Sequence, residues 1–207
     1  MGLGLAPPSA FGALRYANAP YIRSISAGYF MPDYRRAFCP GGTFFFTVNL
    51  LQRRNNPLLT RHVETLRAVV REVRRKHPFH IHGWVVLPEH LHAIMELPQG
   101  DADFSMRWRL IKSGFSKQLP VDERRSRVRM NRGERGIWQR RFWEHLIRDE
   151  ADFAAHMDYL HFNPVKHGYV QCVADWPFST FHRLVAAGVY PQDWAGSARA
   201  DGLSLPD

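Results

Sequence analysis

Cysteine is scarce in this chain, with two in 207 residues. Cys39 and Cys172 lie far apart and outside any metal-ligand spacing, so we predict two free thiols in a reducing compartment. Long apolar runs are also absent, and no window approaches the ~18 apolar residues that span a membrane. The N-terminus lacks a basic stretch followed by an apolar run, which argues against a secretory signal. We therefore expect a cytoplasmic protein.

Acidic residues are in short supply over one stretch of the chain. The whole chain has 28 Lys and Arg against 19 Asp and Glu, a net charge of +9. Residues 107–148 hold 13 of the basic and 4 of the acidic residues, so this segment carries the entire excess. One concentrated basic region on a neutral scaffold is typical of a protein that binds a polyanion, although a solvated charged loop would give the same count.

Composition divides the chain into one domain with flanking segments. With 45% hydrophobic residues, the chain can bury one sizeable core. Residues 1–30 are rich in Ala, Gly, Pro and Ser without periodicity, which predicts a flexible extension, and Met31 offers an alternative translation start. We place the domain at 31–190, with an irregular, arginine-dense insert at 120–136 and a C-terminal tail at 191–207.

Hydrophobic periodicity predicts an α+β architecture. Period-two alternation predicts strands over 43–50, 80–87, 91–97 and part of 137–148. Helical spacing predicts helices over 58–76, 103–119, 149–162 and 176–187. The third helix should end before Pro164, because the residue preceding proline is disfavoured in helical geometry, and Gly188 should stop the last. Interleaved strands and helices indicate an antiparallel sheet backed by helices.

Two histidines one residue apart are the first candidates for chemistry. In LPEHLHAIMEL at 87–97, strand geometry places His90 and His92 on one face and the intervening apolar residues on the other. Two imidazoles on a rigid strand can hold a divalent metal, but a pair that merely faces solvent is common. His80 and His82 in HIHGW have the same spacing, and periodicity does not separate the two pairs.

The third predicted helix supplies two further candidates. Spacings of four, three and four define a stripe outside its apolar face, namely Asp152, His156, Tyr159 and Asn163. A Tyr159 hydroxyl could act as a nucleophile, and the Asn163 amide oxygen could join the histidines as a third ligand. Taken singly, a helical tyrosine is more often packing and an asparagine before proline more often a helix terminator.

Two imidazoles and one amide oxygen would form a mixed metal site with open positions. Mg²⁺ or Mn²⁺ fits this donor set better than zinc, because no cysteine or third histidine is obviously supplied. Such a cation would neutralise charge on a phosphate during an in-line displacement. It would also help a tyrosine to ionise, since the free phenol has a pKa of about 10.

Several motifs resemble the REP-associated tyrosine transposases, a subgroup of the single-tyrosine HUH transposases. The resemblance covers about residue 31 to the C-terminus and is carried, in order, by GGTFFFTVNL at 41–50, WVVLPEHLH at 84–92, IWQRRFWEH at 137–145, DYLHFNPVKHG at 158–168 and DWPFSTFHR at 175–183. It implies a ferredoxin-like sheet, the HUH endonuclease fold, with the histidine pair on a central strand and the tyrosine on a facing helix. The pair implied is His90 and His92.

The resemblance also implies an activity. Tyr159 would attack a phosphodiester of single-stranded DNA, giving a 5′-phosphotyrosine and a free 3′-hydroxyl, with His90, His92 and Asn163 holding Mg²⁺ or Mn²⁺. Rejoining would need no ATP, which agrees with the lack of a GxxxxGK[ST] loop. The implied substrate is a repetitive extragenic palindromic (REP) hairpin with a flanking tetranucleotide. The implied setting is the nucleoid, and a monomer is favoured over a dimer.

The basic segment would supply DNA affinity through phosphate contacts. The candidate DNA-binding residues are Arg35, Arg36, Lys112, Arg140, Arg141 and Lys166, the last at the scissile phosphate. Trp108 and Trp138 are candidates for stacking on unpaired bases, although core packing is the commoner role. One alternative is a domesticated protein that binds palindromic DNA or RNA without cutting it. Another is a metal-dependent phosphodiesterase that uses activated water.

Overall fold

The structure, a computed structural model, describes residues 37–121, 123 and 125–196. The predicted extension at 1–30 and the candidate residues Arg35 and Arg36 lie outside this range. Within it, both cysteines are free thiols as predicted, Cys39 buried and Cys172 exposed. The described helices include none that combines the length and the apolar content needed to cross a membrane.

The described chain contains four strands, six α-helices and one 3-10 helix. The strands are β1 (Thr43–Asn49), β2 (His80–Val86), β3 (His90–Glu96) and β4 (Trp143–Leu146). The helices are α1 (Leu58–Arg61), α2 (Val63–Lys76), α3 (Phe104–Gln118), α4 (Arg127–Asn131), α5 (Glu150–Lys166) and α6 (Phe181–Ala186), with the 3-10 helix at Val173–Asp175.

The sheet has the strand order β2-β3-β1-β4, and every neighbouring pair is antiparallel. The chain order of strands and of α2 and α3 is β-α-β-β-α-β, so the ferredoxin-like prediction is confirmed. β3, which carries the histidine pair, is a central strand. Its register with β1 sets Asn49 opposite His90 and Thr47 opposite His92.

Helices cover both faces of the sheet. Phe44, Phe46 and Val48 of β1 join a core with α2 and α3, and Leu91, Ala93 and Met95 of β3 point into this core as predicted. Phe45 lies on the opposite face, in a second cluster with residues of α5. β1 is apolar on both faces for this reason, and the histidine pair shares its face with α5.

Helix α5 does not end before Pro164, contrary to the sequence prediction; it continues to Lys166. Proline near a helix end removes only one backbone donor. The turn that follows is still closed by hydrogen bonds from His167 N–H to the Asn163 carbonyl and from Tyr169 N–H to the Pro164 carbonyl. The extra turn brings Lys166 and His167 onto the same helix as Tyr159.

Three further segments differ from the sequence prediction. The helix predicted over 58–76 is interrupted at His62, which separates α1 from α2. Only 181–186 of the predicted 176–187 helix is α-helical, because residues 178–180 instead bond to the edge of β2. The insert contains α4, capped by Ser126. Gly188 follows α6 with φ of +72°, as expected for a glycine stop.

Candidate functional site

The histidine pair is completely buried between the sheet and α5. The Leu50 N–H donates to the Glu89 carbonyl at 2.8 Å, which makes the next cross-strand pair, Asn49–His90, and by alternation Thr47–His92, of the non-hydrogen-bonded type with side chains close together. Thr47 Oγ1 accordingly lies 3.0 Å from His92 Nδ1. The cross-strand partner thus fixes the orientation of the His92 ring.

Glu89 fixes the orientation of His90. His90 Nδ1 lies 3.1 Å from Glu89 Oε1, and the Tyr169 hydroxyl donates to Glu89 Oε2 at 3.2 Å. Burial opposes ionisation of Glu89, but the hydrogen bonds from His90 and Tyr169 leave its pKa below the ordinary value. An ionised carboxylate only accepts, so His90 carries its proton on Nδ1. Its Nε2 lone pair is buried without a hydrogen-bond partner among the described residues.

One stripe of α5 faces the histidine pair. The ring of Tyr159 packs edge-on against His92, with centroids 5.5 Å apart, and His167 lies 5.2 Å from His90. Asn163 is midway between these two residues at four-residue spacing, so its side chain belongs to the same stripe. Both polar atoms of its amide are buried without a hydrogen-bond partner within the described part of the chain. The structure therefore brings His90, His92, Tyr159 and Asn163 together.

Lys166 is placed at the tyrosine hydroxyl. Its ammonium donates to Tyr159 Oη at 3.3 Å and lies 4.8 Å from the centre of the Tyr159 ring. A cation at this position favours the phenolate form of tyrosine over the phenol. The extra helical turn past Pro164 is what carries Lys166 back over the ring.

The second histidine pair has different surroundings. His80 is exposed, and His82 Nε2 lies 2.9 Å from Glu96 Oε2 on the neighbouring strand. Both residues are on β2, an edge strand, and His82 packs against Phe153 at the start of α5. Tertiary structure thus separates two pairs that periodicity left equivalent, and only His90 and His92 lie beside Tyr159.

Comparison with known proteins fits this geometry. No family model matches the chain. The REP-associated tyrosine transposase of Escherichia coli K12 is 53% identical over 166 residues, which cover 80% of this chain and 92% of the relative. The chain belongs to the REP-associated tyrosine transposases. A Haemophilus influenzae protein assigned to the same family is 46% identical over 168 residues, covering 81% of this chain and 95% of the relative.

A solved structure of the family has the same fold. It is a REP-associated tyrosine transposase bound to a REP hairpin, with 50% sequence identity and a TM-score of 0.73. The match covers 86% of this chain and 98% of that protein. The HUH endonuclease fold expected from the sequence motifs is therefore confirmed for this member of the family.

A second group of side chains in the described chain could also hold a metal ion. Ligand atoms of His145, Asp152 and His156 lie within 4.8 Å of one another. The Asp152 carboxylate already lies 2.9 Å from His145 Nε2 and 3.0 Å from His156 Nδ1, and it accepts from the Arg148 guanidinium at 3.1 Å. His156 Nδ1 is also 2.8 Å from the Asp152 carbonyl oxygen, so it acts as a donor. A metal ion here would have to displace these protons.

The candidate DNA-binding residues of the basic segment are Lys112, within α3, and Arg140 and Arg141, of which Arg140 has its carbonyl bonded to Lys112. Lys112 Nζ donates to the Gln139 carbonyl at 2.5 Å, and the Arg140 guanidinium pairs with Glu134 at 3.0 Å. Arg141 is exposed. Trp108 and Trp138 take the commoner of the two roles considered for them: they are 0% and 7% exposed and complete the core beneath α3.

Sequence reasoning missed four residues of this site. They are Asn49, Thr47, Glu89 and His167. Two of them have a local sequence signal. His167 continues the four-residue spacing from Asn163, but the helix was predicted to end before Pro164. Glu89 directly precedes His90, but only metal ligands were considered there. Asn49 and Thr47 depend on strand register, which a single strand pattern does not give. The stripe that helical spacing sets outside the apolar face of α5 is buried as well, with Tyr159 4% and Asn163 0% exposed.

Proposed function

We propose that this chain is a single-stranded DNA endonuclease and strand transferase that acts at REP hairpins through Tyr159. The observation that carries the proposal is the placement of Tyr159 Oη beside a lysine ammonium and the buried histidine pair. A relative with 50% identity over 86% of this chain has been solved with a REP hairpin bound, which supports a hairpin as the DNA partner. The reaction would take place on nucleoid DNA in the cytoplasm.

The chemistry is a transesterification. The Tyr159 oxygen attacks the phosphorus of a phosphodiester, the bond from phosphorus to the 3′-oxygen breaks, and the phenolic proton ends on the released 3′-hydroxyl. The DNA is left joined to the protein by a 5′-phosphotyrosine bond. This bond is a phosphodiester like the one that was broken, so the reverse step can join strands without ATP. Lys166 stabilises the attacking phenolate, and Phe45, packed 6.0 Å from the Tyr159 ring, restricts the ring's motion.

The site suits Mg²⁺ or Mn²⁺ held by His90, His92 and Asn163. His90 Nε2 and the Asn163 amide oxygen are buried and have no hydrogen-bond partner among the described residues, which is costly unless a ligand satisfies them. When bound, such a cation supplies Lewis-acid stabilisation of charge on a phosphate oxygen. Glu89 holds His90 with its lone pair toward this position.

Phosphate contacts from the basic segment would hold the DNA. Lys112, Arg140 and Arg141 lie on the described surface, and Arg35 and Arg36 are proposed contacts that lie outside the described residues. Lys166 is close enough to Tyr159 to approach the same phosphate that the tyrosine attacks. Neutralisation of several phosphates would account for a large part of the binding free energy.

A covalent adduct tests the mechanism. The full chain is incubated with Mn²⁺ and a REP-type single-stranded oligonucleotide, and denaturing gels are scanned for a protein–DNA band. We expect the band with wild type and with Tyr190→Phe, and none with Tyr159→Phe. Cleavage without any adduct would instead indicate activated water, and hairpin binding without cleavage by wild type would indicate a non-cutting binder.

Metal titration tests the ligand assignment independently of activity. Mn²⁺ binding measured by electron paramagnetic resonance should be lost in His90→Ala and retained in Asp152→Asn. His90→Ala should still bind the hairpin, because the phosphate contacts are elsewhere. Loss of Mn²⁺ in Asp152→Asn with retention in His90→Ala would place the ion in the His145–Asp152–His156 group and refute the assignment.

A further inference from the structure

The cluster of His145, Asp152 and His156 lies where β4 meets the start of α5. His145 is on β4, and Asp152 and His156 are on α5. His145 is the cross-strand partner of Phe45, so it lies on the sheet face that α5 covers. Four-residue spacing places Asp152 and His156 on one side of the helix. One short segment, residues 145–156, thus brings three metal-ligand side chains together.

The distances between their ligand atoms suit one small cation. His145 Nε2 lies 2.9 Å from Asp152 Oδ2, and His156 Nδ1 lies 3.0 Å from Asp152 Oδ1. Each of the three residues offers one ligand atom within 4.8 Å of the other two. Zinc bonds of ~2.0–2.2 Å to nitrogen and oxygen put neighbouring ligand atoms about 3.3 Å apart in a tetrahedron. An ion could therefore replace the shared protons with small movements of the side chains.

Aromatic packing holds both imidazoles in position. The rings of His145 and His156 are nearly parallel, with an interplanar angle of 15° and centroids 4.5 Å apart. Trp143 stacks on His145, and Phe45 lies 5.0 Å from His156. Side chains that are already ordered lose little rotamer freedom when they bind, which favours affinity.

The protonation states also suit a metal ion. Burial lowers the pKa of His156, so its ring is neutral near neutral pH. Burial opposes ionisation of Asp152, but the hydrogen bonds from His145 and Arg148 leave its pKa below the ordinary value. A neutral imidazole can carry its proton on either nitrogen, and His156 Nε2 is buried without a hydrogen-bond partner in the described part of the chain. The proton of His156 Nδ1 can therefore move to Nε2 and free the Nδ1 lone pair.

Arg148 is the cation that an incoming metal must displace. Its guanidinium lies 3.1 Å from Asp152 Oδ2, but its side chain is 71% exposed, and ion pairs of this kind contribute little. The guanidinium can move into water while the Arg148 N–H still donates to Asp152. The His145 side chain is 25% exposed, which gives an ion and a water ligand access from solvent.

We propose that His145, Asp152 and His156 form a zinc site that joins the edge strand β4 to the first turns of α5. Two histidines and one carboxylate are the protein ligands of many zinc sites, with water in the fourth position. Zn²⁺ also binds such ligands more tightly than Mn²⁺ does. This site is separate from the one beside Tyr159 and goes beyond the proposed strand transfer. Its bound ion fixes the N-terminal end of α5 to the sheet.

Zinc binding by a chain whose other metal site is disabled tests the proposal. The full chain carrying His90→Ala is titrated with Zn²⁺ by calorimetry, and its thermal unfolding is followed with and without the ion. We expect one zinc ion per chain and a higher Tm with zinc, because the ion binds the folded chain preferentially. Adding Asp152→Asn should abolish both effects. Adding Asp193→Asn, the same change at an exposed position, should alter neither.

A second variant covers the case in which Asp152→Asn does not fold. His145→Gln changes the partly exposed ligand and should also lose the ion, whereas His62→Gln, between α1 and α2, should keep it. Cobalt(II) gives a spectroscopic readout, since tetrahedral coordination has strong visible absorption that His145→Gln should remove. Zinc binding that persists in both Asp152→Asn and His145→Gln would overturn the proposal.

The two metal assignments fail separately. Loss of both Mn²⁺ and zinc in His90→Ala refutes the zinc site and leaves the assignment beside Tyr159 intact. Zinc bound at His145 by a wild-type chain that forms no covalent adduct supports the zinc site and refutes the Tyr159 mechanism.

Discussion

Each histidine of the β3 pair is held through its Nδ1 atom, but by groups of different kind. His92 lies against a neutral hydroxyl, that of Thr47, and His90 against the Glu89 carboxylate. A carboxylate makes the imidazole a more basic ligand and locks its tautomer, whereas a hydroxyl mainly orients the ring. The Tyr169 hydroxyl stays protonated and can donate to Glu89, because burial and the Glu89 charge raise the pKa of Tyr169 to about 12.

Glu89→Gln should weaken metal binding without unfolding the protein. The glutamine amide oxygen can still accept the hydrogen bond from His90 Nδ1, but the negative charge that makes His90 Nε2 a stronger metal ligand is lost. We expect Mn²⁺ affinity to fall about tenfold by calorimetric titration. Glu64→Gln, an equal change on exposed α2, is the control and should have no effect. Equal affinities for wild type and Glu89→Gln would show that the carboxylate does not tune the site.

His161 makes the free energy of unfolding depend on pH. Burial, aided by the Arg183 charge, lowers the pKa of His161 from 6.5 to about 3. Below pH 6.5 the unfolded chain binds a proton that the folded chain does not, so stability falls by about 1.4 kcal/mol per pH unit until about pH 3. Between pH 7 and 5, denaturant titrations should therefore show about 2 kcal/mol more loss for wild type than for His161→Gln. Parallel losses would mean that His161 is protonated in the folded protein.

Helix α5 carries most of the proposed chemistry, and its ends position the reacting groups. Asp149 caps the first turn by accepting from the Asp152 N–H at 2.8 Å. At the other end the helix passes through Pro164 before Lys166 reaches Tyr159. Polar residues on the other side of this helix are also buried, because residues 173–194 cover it: His161 Nδ1 lies 3.0 Å from Ser179 Oγ, and the Tyr190 hydroxyl donates to Asp158.

Asp149→Ala should destabilise the fold by about 1 kcal/mol, because the orphan N–H of Asp152 loses its acceptor. Ser126→Ala removes the equivalent cap from α4, which has no buried residues, and should leave global unfolding nearly unchanged. Chemical denaturation of both variants compares the two caps directly. A similar loss in both would indicate that α4 belongs to the cooperative unit.

Charge at the scale of the whole molecule is asymmetric. The excess of basic residues lies in 107–148, whereas on α2 Arg67 pairs with Glu64 and Arg75 with Glu72. Much of the basic segment is used internally: Arg135 bonds to Glu123 and to carbonyls at the end of α3. Arg141 is exposed and is the proposed phosphate contact of this segment.

Arg141→Ala should therefore reduce the salt dependence of DNA binding. One lost phosphate contact lowers the slope of log K against log salt by about 0.7 for a single strand or about 0.9 for a duplex. Arg75→Ala, which removes the same charge from the Glu72 pair on α2, should leave the slope unaltered. Binding isotherms at several salt concentrations measure both, and equal slopes for Arg141→Ala and wild type would exclude this contact.

The sequence pattern by itself determined an α+β chain with an antiparallel sheet, two candidate histidine pairs, and Tyr159 and Asn163 on one helix, and the family resemblance implied the ferredoxin-like class and the pair His90 and His92. Alternation and helical spacing are local, so each side chain's own segment reveals its face. Only the tertiary structure showed a histidine of one pair in contact with the tyrosine, the continuation of α5 through Pro164, and the placement of Asn49 and Glu89 beside His90. Those facts depend on strand register and on packing between distant segments, which no local pattern encodes. The sequence therefore identified the histidines and the tyrosine as candidates, whereas their contact in space depends on the fold.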